Sequence, residues 1–401
     1  MKGLGRDGAI LFATRLSRLF AYGFLSVILV LYLSSLGFGE FKIGALLTLT
    51  LLGDTLVSLW ITVNADRIGR KRMLLAGAAL MLFAGVSFSL TNDFVVMIIA
   101  ATLGVISPSG NEVGPFLALE QASLSQIVSD DKRTGVFAWY NLIGSFATAC
   151  GSLAGGWAAH LMQKTGMSPA DSYRWIVIGY AAFGAALFLL FLTLSSRIEA
   201  EKTHQTLKTR FGLHSSGRVV FRLSALFSLD AFAGGFVIQS IIAYWFHVRY
   251  GADDGLIGSI FFGANVLAGV SALSAVRIAS KIGLIRTMVF THIPSNVLLI
   301  LVPLMPNFPL AIAMLLLRFS ISQMDVPTRQ SYTMSVVNPD ERSAAAGITG
   351  IARTTGASVS PVIAGSLISH SALLSSPFYI AGTLKIAYDL LLYRAFSREK
   401  R

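Results

Sequence analysis

Asp66-Arg67-Ile68-Gly69-Arg70-Lys71-Arg72 separates two apolar runs, residues 41–63 and 73–91, and Lys281-Ile282-Gly283-Leu284-Ile285-Arg286 separates two more, residues 255–279 and 287–305. About twenty apolar residues cross the hydrocarbon core of a bilayer. Each basic stretch therefore reads as a short loop joining two membrane helices. The two loops also match each other position by position. With an offset of 214, Ile43-Gly44 meets Ile257-Gly258, Arg67-Ile68-Gly69 meets Lys281-Ile282-Gly283, Arg72 meets Arg286 and Phe94 meets Phe308.

Farther along the chain the offset becomes 209: Gln121 meets Gln330, Asp131 meets Asp340, Arg133 meets Arg342 and Gly156 meets Gly365. The chain is thus a duplicated unit, and the fourth span or its entry is five residues longer than the tenth. Apolar runs place spans near 10–36, 41–63, 73–91, 94–123, 135–162, 173–195, 219–248, 255–279, 287–305, 308–335, 344–368 and 377–396. The expected fold is an all-α membrane protein of twelve transmembrane helices in two pseudo-symmetric six-helix bundles. Residues 1–196 form one bundle, 197–218 a polar cytoplasmic linker and 219–401 the other.

Composition supports this reading. Of 401 residues, 54% are hydrophobic and 13% charged, with a mean hydropathy of +0.68. Soluble domains carry roughly 25% charged residues, so a soluble chain of this kind could not cover its surface. The net charge of +12 lies in short tracts between apolar runs, which sets membrane orientation and does not mark a nucleic-acid surface. Twenty-two basic residues fall in loops and tails on the side of the N-terminus, and only Lys42, Lys164, Arg174 and Arg249 on the other. Both termini are therefore expected in the cytoplasm, with the protein in the plasma (inner) membrane. The first apolar run lacks a small-residue cleavage motif and reads as a retained span.

The loop after the second span resembles the G-x-x-x-D-R-x-G-R-R/K signature of the major facilitator superfamily. Asp66, Arg67, Gly69, Arg70 and Lys71 fill the pattern, and Thr62 stands at its first glycine. The fifth span carries Gly144 and Gly151-Ser152-Leu153-Ala154-Gly155-Gly156. That run is similar to the G-P-x-x-G-G element of the family's drug/proton antiporter-like branch, with Ser152 in place of proline. Pro361 is retained at the repeat-related position. Small residues at this spacing also serve helix packing, so an antiport signature and plain packing both remain open. The resemblance implies alternating access by two bundles around a midplane site.

Ionisable residues inside spans cost roughly 2.5–3.5 kcal/mol each on insertion scales and face a cavity or a partner. Arg15, Arg18 and Tyr22 share one face of the first span, since residues three, four and seven apart align on a helix. Arg15 is expected to snorkel, and Arg18 either to snorkel or to face the cavity. Asp54 is twelve residues before Asp66, about 18 Å along the helix, and has no such recourse. Asp54 and Arg18 are expected to face one cavity and to exchange partners. In the fourth span, Pro108 and Pro115 should interrupt the helix, bringing freed carbonyls, Asn111 and Glu112 to the cavity. Placing that stretch outside the bilayer would leave Phe94–Ile106, too short to span.

In the second half, Asp230, Gln239, Asn265, Arg318, Asp325 and Arg353 lie at interior depth. Glu120 and Arg329 occupy equivalent positions with opposite charges and are expected to form gate ion pairs with the basic loops. Lys385 and Asp389, four apart, are expected to neutralise each other.

Other chemistry finds no support. Cys150 is the single cysteine, and the six histidines show no paired metal spacing. His292 reads as a satisfied structural residue. Gly3-x-Gly5-x-x-Gly8 follows no strand, and no nucleotide-binding P-loop is present. No cofactor, metal or nucleic acid is expected, and the protein is not expected to be an enzyme. The expected function is secondary transport of a small solute by a monomer, as proton-coupled export of a small organic compound. The alternatives are an anion or oxyanion transporter using Arg18, Arg318 and Arg353, and a non-transporting membrane sensor or assembly protein of the same fold.

Overall fold

The computed structural model describes residues 5–128, 130–199, 213–338 and 341–396. Most of the 197–218 linker, including Leu207 and Phe211, lies outside the described residues, as do Asp340 and the basic tail residues Lys2, Arg398, Lys400 and Arg401. The side chains of Asp131 and Arg133 lie outside them too.

Among the described residues there are helices and no strands. The helices are α1 (Arg6–Ser26), α2 (Leu29–Ser35), α3 (Glu40–Ile68), α4 (Arg70–Leu90), α5 (Phe94–Leu103), α6 (Phe116–Ile127), α7 (Asp130–Lys164) and α8 (Pro169–Leu192). They continue as α9 (Gly217–Gly235), α10 (Gln239–Tyr250), α11 (Asp254–Ile282), α12 (Leu284–Leu301), α13 (Phe308–Ser322), α14 (Asp325–Ser335), α15 (Arg342–Ile368) and α16 (Ser376–Phe396). Among the described residues eight helical stretches, two of them the consecutive pairs α9–α10 and α13–α14, are long and apolar enough to cross a membrane, or nine if the bent pair α1 and α2 counts as one span. The remaining apolar stretches fall short for visible reasons. The α5 and α6 helices are 10 and 12 residues long. Gly, Ser, Thr and Arg353 dilute α15, and Lys385 and Asp389 interrupt α16.

The repeat is written into local geometry. Gly69 and Gly283 turn the two basic loops with φ of +118° and +86°, a region that glycine enters without a Cβ clash. Asp93 caps α5 by accepting from the N–H groups of Val95 and Val96, and Asn307, its repeat mate, caps α13 by accepting from Leu310 N–H. The helical breaks recur as well. The α1 and α2 pair bends by 42° at Val27–Ile28. The α9 and α10 helices part at Phe236–Ile238, α5 and α6 across residues 104–115, and α13 and α14 at Gln323–Met324.

Residue contacts divide the chain into Met1–Thr203 with Gln239–Phe262, and His204–Ile238 with Gly263–Arg401. In the first unit α1 packs on α7 and α8, and α4 on α8. In the second, α9 packs on α15 and α16, and α12 on α16, the same pairs one repeat later. A Cβ at Gly23 would meet the carbonyl of Thr148, and one at Gly235 the carbonyl of Ala357. Both glycines therefore mark close approaches of helix backbones at matching places. Aliphatic side chains face outward, with Leu90 81% and Val63 71% exposed, while the interiors hold charge. That distribution suits a lipid solvent.

Candidate functional site

Each unit encloses a cluster of ion-paired side chains on its interrupted helices. In the first, Arg18 on α1 is fully buried. Its Nη1 and Nη2 donate to Glu120 Oε1 and Oε2 at 2.8 and 2.6 Å, and its Nε donates to Glu112 Oε1 at 2.9 Å. Arg15 pairs with the other oxygen of Glu112 and donates from Nε to the Tyr140 carbonyl at 3.3 Å. Glu120 also accepts from Thr14 Oγ1 at 2.8 Å and from the Tyr140 hydroxyl. Both guanidinium groups lie 4.6 Å from an aromatic ring centroid, Arg15 over Tyr140 and Arg18 over Phe116. Every oxygen of the two glutamates is thus engaged, which is what buried charges require.

Two expectations are corrected here. Arg15 does not snorkel: it is 6% exposed and holds Glu112. Asp54 does not pair with Arg18, whose guanidinium the two glutamates occupy. Asp54 accepts instead from Gly114 N–H at 2.6 Å and from the Ser58 hydroxyl at 3.3 Å. The fourth span is interrupted between Leu103 and Phe116, as its prolines imply, and Gly110 and Gly114 take positive φ there. Its freed carbonyls are satisfied in place. Pro108 accepts from Ser240 N–H at 3.2 Å, Gly110 from Thr148 Oγ1 at 3.3 Å, and Asn111 from Ser107 Oγ at 2.6 Å. Gln239 donates to Ser26 Oγ at 2.8 Å and Ser152 Oγ at 3.1 Å. Asn111 itself is exposed, and Asn265 on α11 is half-buried.

The second cluster centres on Asp230 of α9. Lys385 Nζ lies 2.6 Å from Oδ1, and Arg329 Nη1 and Arg353 Nη1 each lie 3.2 Å from Oδ2. His292 Nε2 is 3.9 Å from Oδ1. Arg329 also pairs with Asp325 at 2.7 Å. The expected neutralisation of Lys385 by Asp389 gives way to two longer-range partnerships. Lys385 turns to Asp230, and Asp389 accepts from His292 Nδ1 at 2.9 Å and Asn296 Nδ2 at 3.2 Å. Arg318 on α13 stands apart, stacked on Phe319 at 4.9 Å. Its Nε is shielded from solvent and has no hydrogen-bond partner among the described residues.

Glu120 and Arg329, expected at a gate with the basic loops, each belong to the cluster of their own half. With an offset of 212, Arg18 aligns with Asp230. The pair Arg18–Glu120 therefore returns as Asp230–Arg329, with both charges inverted. The loop after α3 closes on its own unit. Arg70 Nε donates to Asp66 at 2.9 Å, its backbone N–H to Glu199 at 2.6 Å, and its Nη1 to Gln126 at 2.9 Å. Lys71 Nζ reaches the carbonyls of Leu192 and Leu194 at 2.8 and 2.6 Å, Gly69 supplies the turn, and Arg67 is exposed.

The glycines of α7 are contact points. Gly144 lies under the Arg15 guanidinium. A Cβ at Gly151 or Gly155 would strike the carbonyls of Phe20 and Phe24, and one at Gly156 that of Asp254. Pro361 lies inside α15. Among the described residues no group of His, Cys, Asp and Glu could hold a metal. A depression of about 720 Å³ between α3 and α4 is lined by Leu56, Trp60, Leu80, Phe83 and other apolar residues. It suits lipid and is not a site for a polar solute.

Sequence reasoning missed Tyr140, Thr14 and Glu199, because single hydroxyl and carboxylate residues carry no spacing signal. The burial of Lys385 against Asp230 joins residues 155 apart and was equally invisible.

Duplicated helical units, interrupted in matching spans and ion-paired inside an apolar exterior, define the architecture of a multi-pass membrane transporter, which is not an enzyme. The chain belongs to the Major Facilitator Superfamily, whose sequence profile matches residues 11–361. It is 30% identical over 422 residues to the uncharacterized membrane protein YJR124C of Saccharomyces cerevisiae (strain ATCC 204508 / S288c), covering 98% of this chain and 94% of that one. Among solved structures it is similar to the nucleoside transporter NupG, with a TM-score of 0.75 and 14% identity over 98% of this chain and 100% of the other. It is also similar to a D-xylose-proton symporter, with a TM-score of 0.73 and 16% identity over 96% and 97%. At these identities the structural likeness concerns the fold.

Proposed function

We propose that the protein is a secondary active transporter of twelve spans, with bundles 1–196 and 219–401 joined by a cytoplasmic linker at 197–218. It acts as a monomer in the plasma membrane, both termini in the cytoplasm, and exports a small organic compound against an inward flow of protons. The observation that carries this reading is Asp54. It is 9% exposed on a membrane helix, and its carboxylate has no cationic partner among the described residues. Leaving it ionised there costs about 2.5–3.5 kcal/mol on insertion scales, so uptake and release of a proton is chemically within reach. It also holds the interrupted fourth span through Gly114 N–H, so a change in its charge acts directly on an irregular segment. The D-xylose-proton symporter, a protein of like fold, supports coupling to protons in this architecture.

In proteoliposomes, with a compound that thermally stabilises the purified protein, Asp54→Asn should abolish accumulation driven by a pH gradient yet keep solute exchange, since the amide mimics the protonated carboxyl. Full gradient-driven transport by Asp54→Asn removes the coupling role. Absence of counterflow by the parent protein favours the non-transporting reading.

A further inference from the structure

We propose that the groove between α3 and α4 binds an anionic phospholipid, with Arg67 and Arg72 holding the phosphate at its mouth and an acyl chain lying along its apolar floor. The groove lies within one unit and measures about 720 Å³. Its walls include Leu56 and Trp60 of α3 and Ala76, Ala79, Leu80 and Phe83 of α4. Leu56, Trp60, Ala79 and Phe83 are exposed, and an exposed apolar surface on membrane helices is one that lipid covers.

Helix periodicity sets the two arginines at one end of this groove. Arg67 is seven residues beyond Trp60 and eleven beyond Leu56, and Arg72 is four before Ala76, seven before Ala79 and eleven before Phe83. Those spacings bring each arginine onto the groove face of its helix. Only Gly69 separates Ile68, the end of α3, from Arg70, the start of α4. The two helices therefore meet at this end, with Arg67 and Arg72 on either side of the turn. Eleven residues rise about 16 Å on either helix, half of the roughly 30 Å hydrocarbon core and so the depth of one leaflet.

The charge at the mouth is unspent. Arg67 and Arg72 are exposed, and neither side chain has a hydrogen bond or ion pair among the described residues. Asp66, the carboxylate beside them, is paired with Arg70. Guanidinium groups at the headgroup end of an interhelical groove suit a lipid phosphate, whose oxygens accept N–H bonds. The repeat supplies the contrast. At the offset of 214, Lys281 and Arg286 keep the charge, but Phe290 and Ile293 stand where the groove has Ala76 and Ala79. Orientation in the membrane needs only the basic loop; the small floor residues that leave room for a chain occur in the first half alone.

Native mass spectrometry of the delipidated full chain in detergent, titrated with dioleoylphosphatidylglycerol or dioleoylphosphatidylcholine, tests the site. The arginines repel the trimethylammonium group of phosphatidylcholine, so phosphatidylglycerol should bind at least tenfold more tightly. Arg67→Gln/Arg72→Gln should erase that preference. Ala76→Phe/Ala79→Ile, which copies the second half, should weaken phosphatidylglycerol binding at least tenfold with both arginines in place. Lys281→Gln/Arg286→Gln should leave it unchanged. The first two double variants alter different parts of the site, so poor folding of one leaves the other to decide. Equal binding of the two lipids by the parent, a preference that survives Arg67→Gln/Arg72→Gln, undiminished binding by Ala76→Phe/Ala79→Ile, or an equal loss in Lys281→Gln/Arg286→Gln overturns the proposal. Competition by glycerol 3-phosphate at the same concentration assigns the arginines to a soluble phosphate and overturns it too. A dimer in the parent spectrum that Ala76→Phe/Ala79→Ile dissociates assigns the groove to a second copy of the chain, with the same consequence.

Discussion

Arg18 and Arg318 show how one residue type acquires different surroundings inside a membrane. The sequence marks both as arginines at depth, and only their neighbours separate them. Arg18 is bound by two glutamates and capped by the Phe116 ring. Breaking a buried pair by removing one partner costs about 3–5 kcal/mol, whereas replacing both partners costs far less. Arg18→Gln should therefore lower unfolding stability by about that amount, because Glu120 and Glu112 lose their principal cation. The double variant Arg18→Gln/Glu120→Gln should recover most of the loss. Reversible unfolding in mixed micelles measures both. A single variant as stable as the parent would mean that the pair contributes little to holding α1 against α6.

Among the elements, the interruptions recur at matching places in the two halves. Prolines at 108 and 115 make the break in the fourth span legible. The breaks at Val27–Ile28 and Phe236–Ile238 contain no proline, whereas at Gln323–Met324 the ring of Pro327, four residues on, removes the bond to the Gln323 carbonyl. At the entry to α9, Glu341 accepts from the Ser216 hydroxyl at 2.5 Å, from the N–H groups of Ser215 and Ser216 at 2.8 and 3.1 Å, and from that of His214. These bonds, the Ser216 hydroxyl foremost, hold its carboxyl down to about 2 from an ordinary 4.5. A folded-state value below the unfolded one means that the carboxylate contributes its full stabilisation above about pH 4.5 and loses it as the pH falls towards 2. Glu341→Gln should flatten the acid limb of the stability profile between those values and leave the alkaline limb unchanged. Acid unfolding followed by tryptophan fluorescence checks this, and a profile of unaltered slope would discount the contact.

For the whole molecule, the duplicated offsets of 214 and 209 return as matched helix pairs, α1 on α7 with α9 on α15, and α4 on α8 with α12 on α16. Orientation follows from the basic loops. Reporter fusions after residue 204 should read as cytoplasmic and those near residue 168 as the opposite side. The same readout at both sites would overturn the twelve-span arrangement. The contact division assigns Gln239–Phe262 to the unit of the first half, and a linear bundle boundary at residue 219 does not anticipate that grouping. Hydropathy measures burial in lipid along the chain, whereas this grouping depends on which helix each outer segment touches, such as Tyr244 on Glu40 and Tyr173 on Asp254.

The sequence alone determined that this is a helical membrane protein, that it is duplicated and that its fourth span is interrupted. Those properties are local or periodic: transfer free energy sums along a segment, proline acts on its own turn, and a repeat shows itself by its period. Tertiary structure alone decided the partners. It gave Glu112 and Glu120 to Arg15 and Arg18, turned Lys385 from Asp389 to Asp230, left Asp54 on a backbone amide and left the Arg318 Nε without a hydrogen bond among the described residues. A buried charge is stabilised by whichever opposite charge or donor lies within a few ångströms, and helices far apart in sequence supply it.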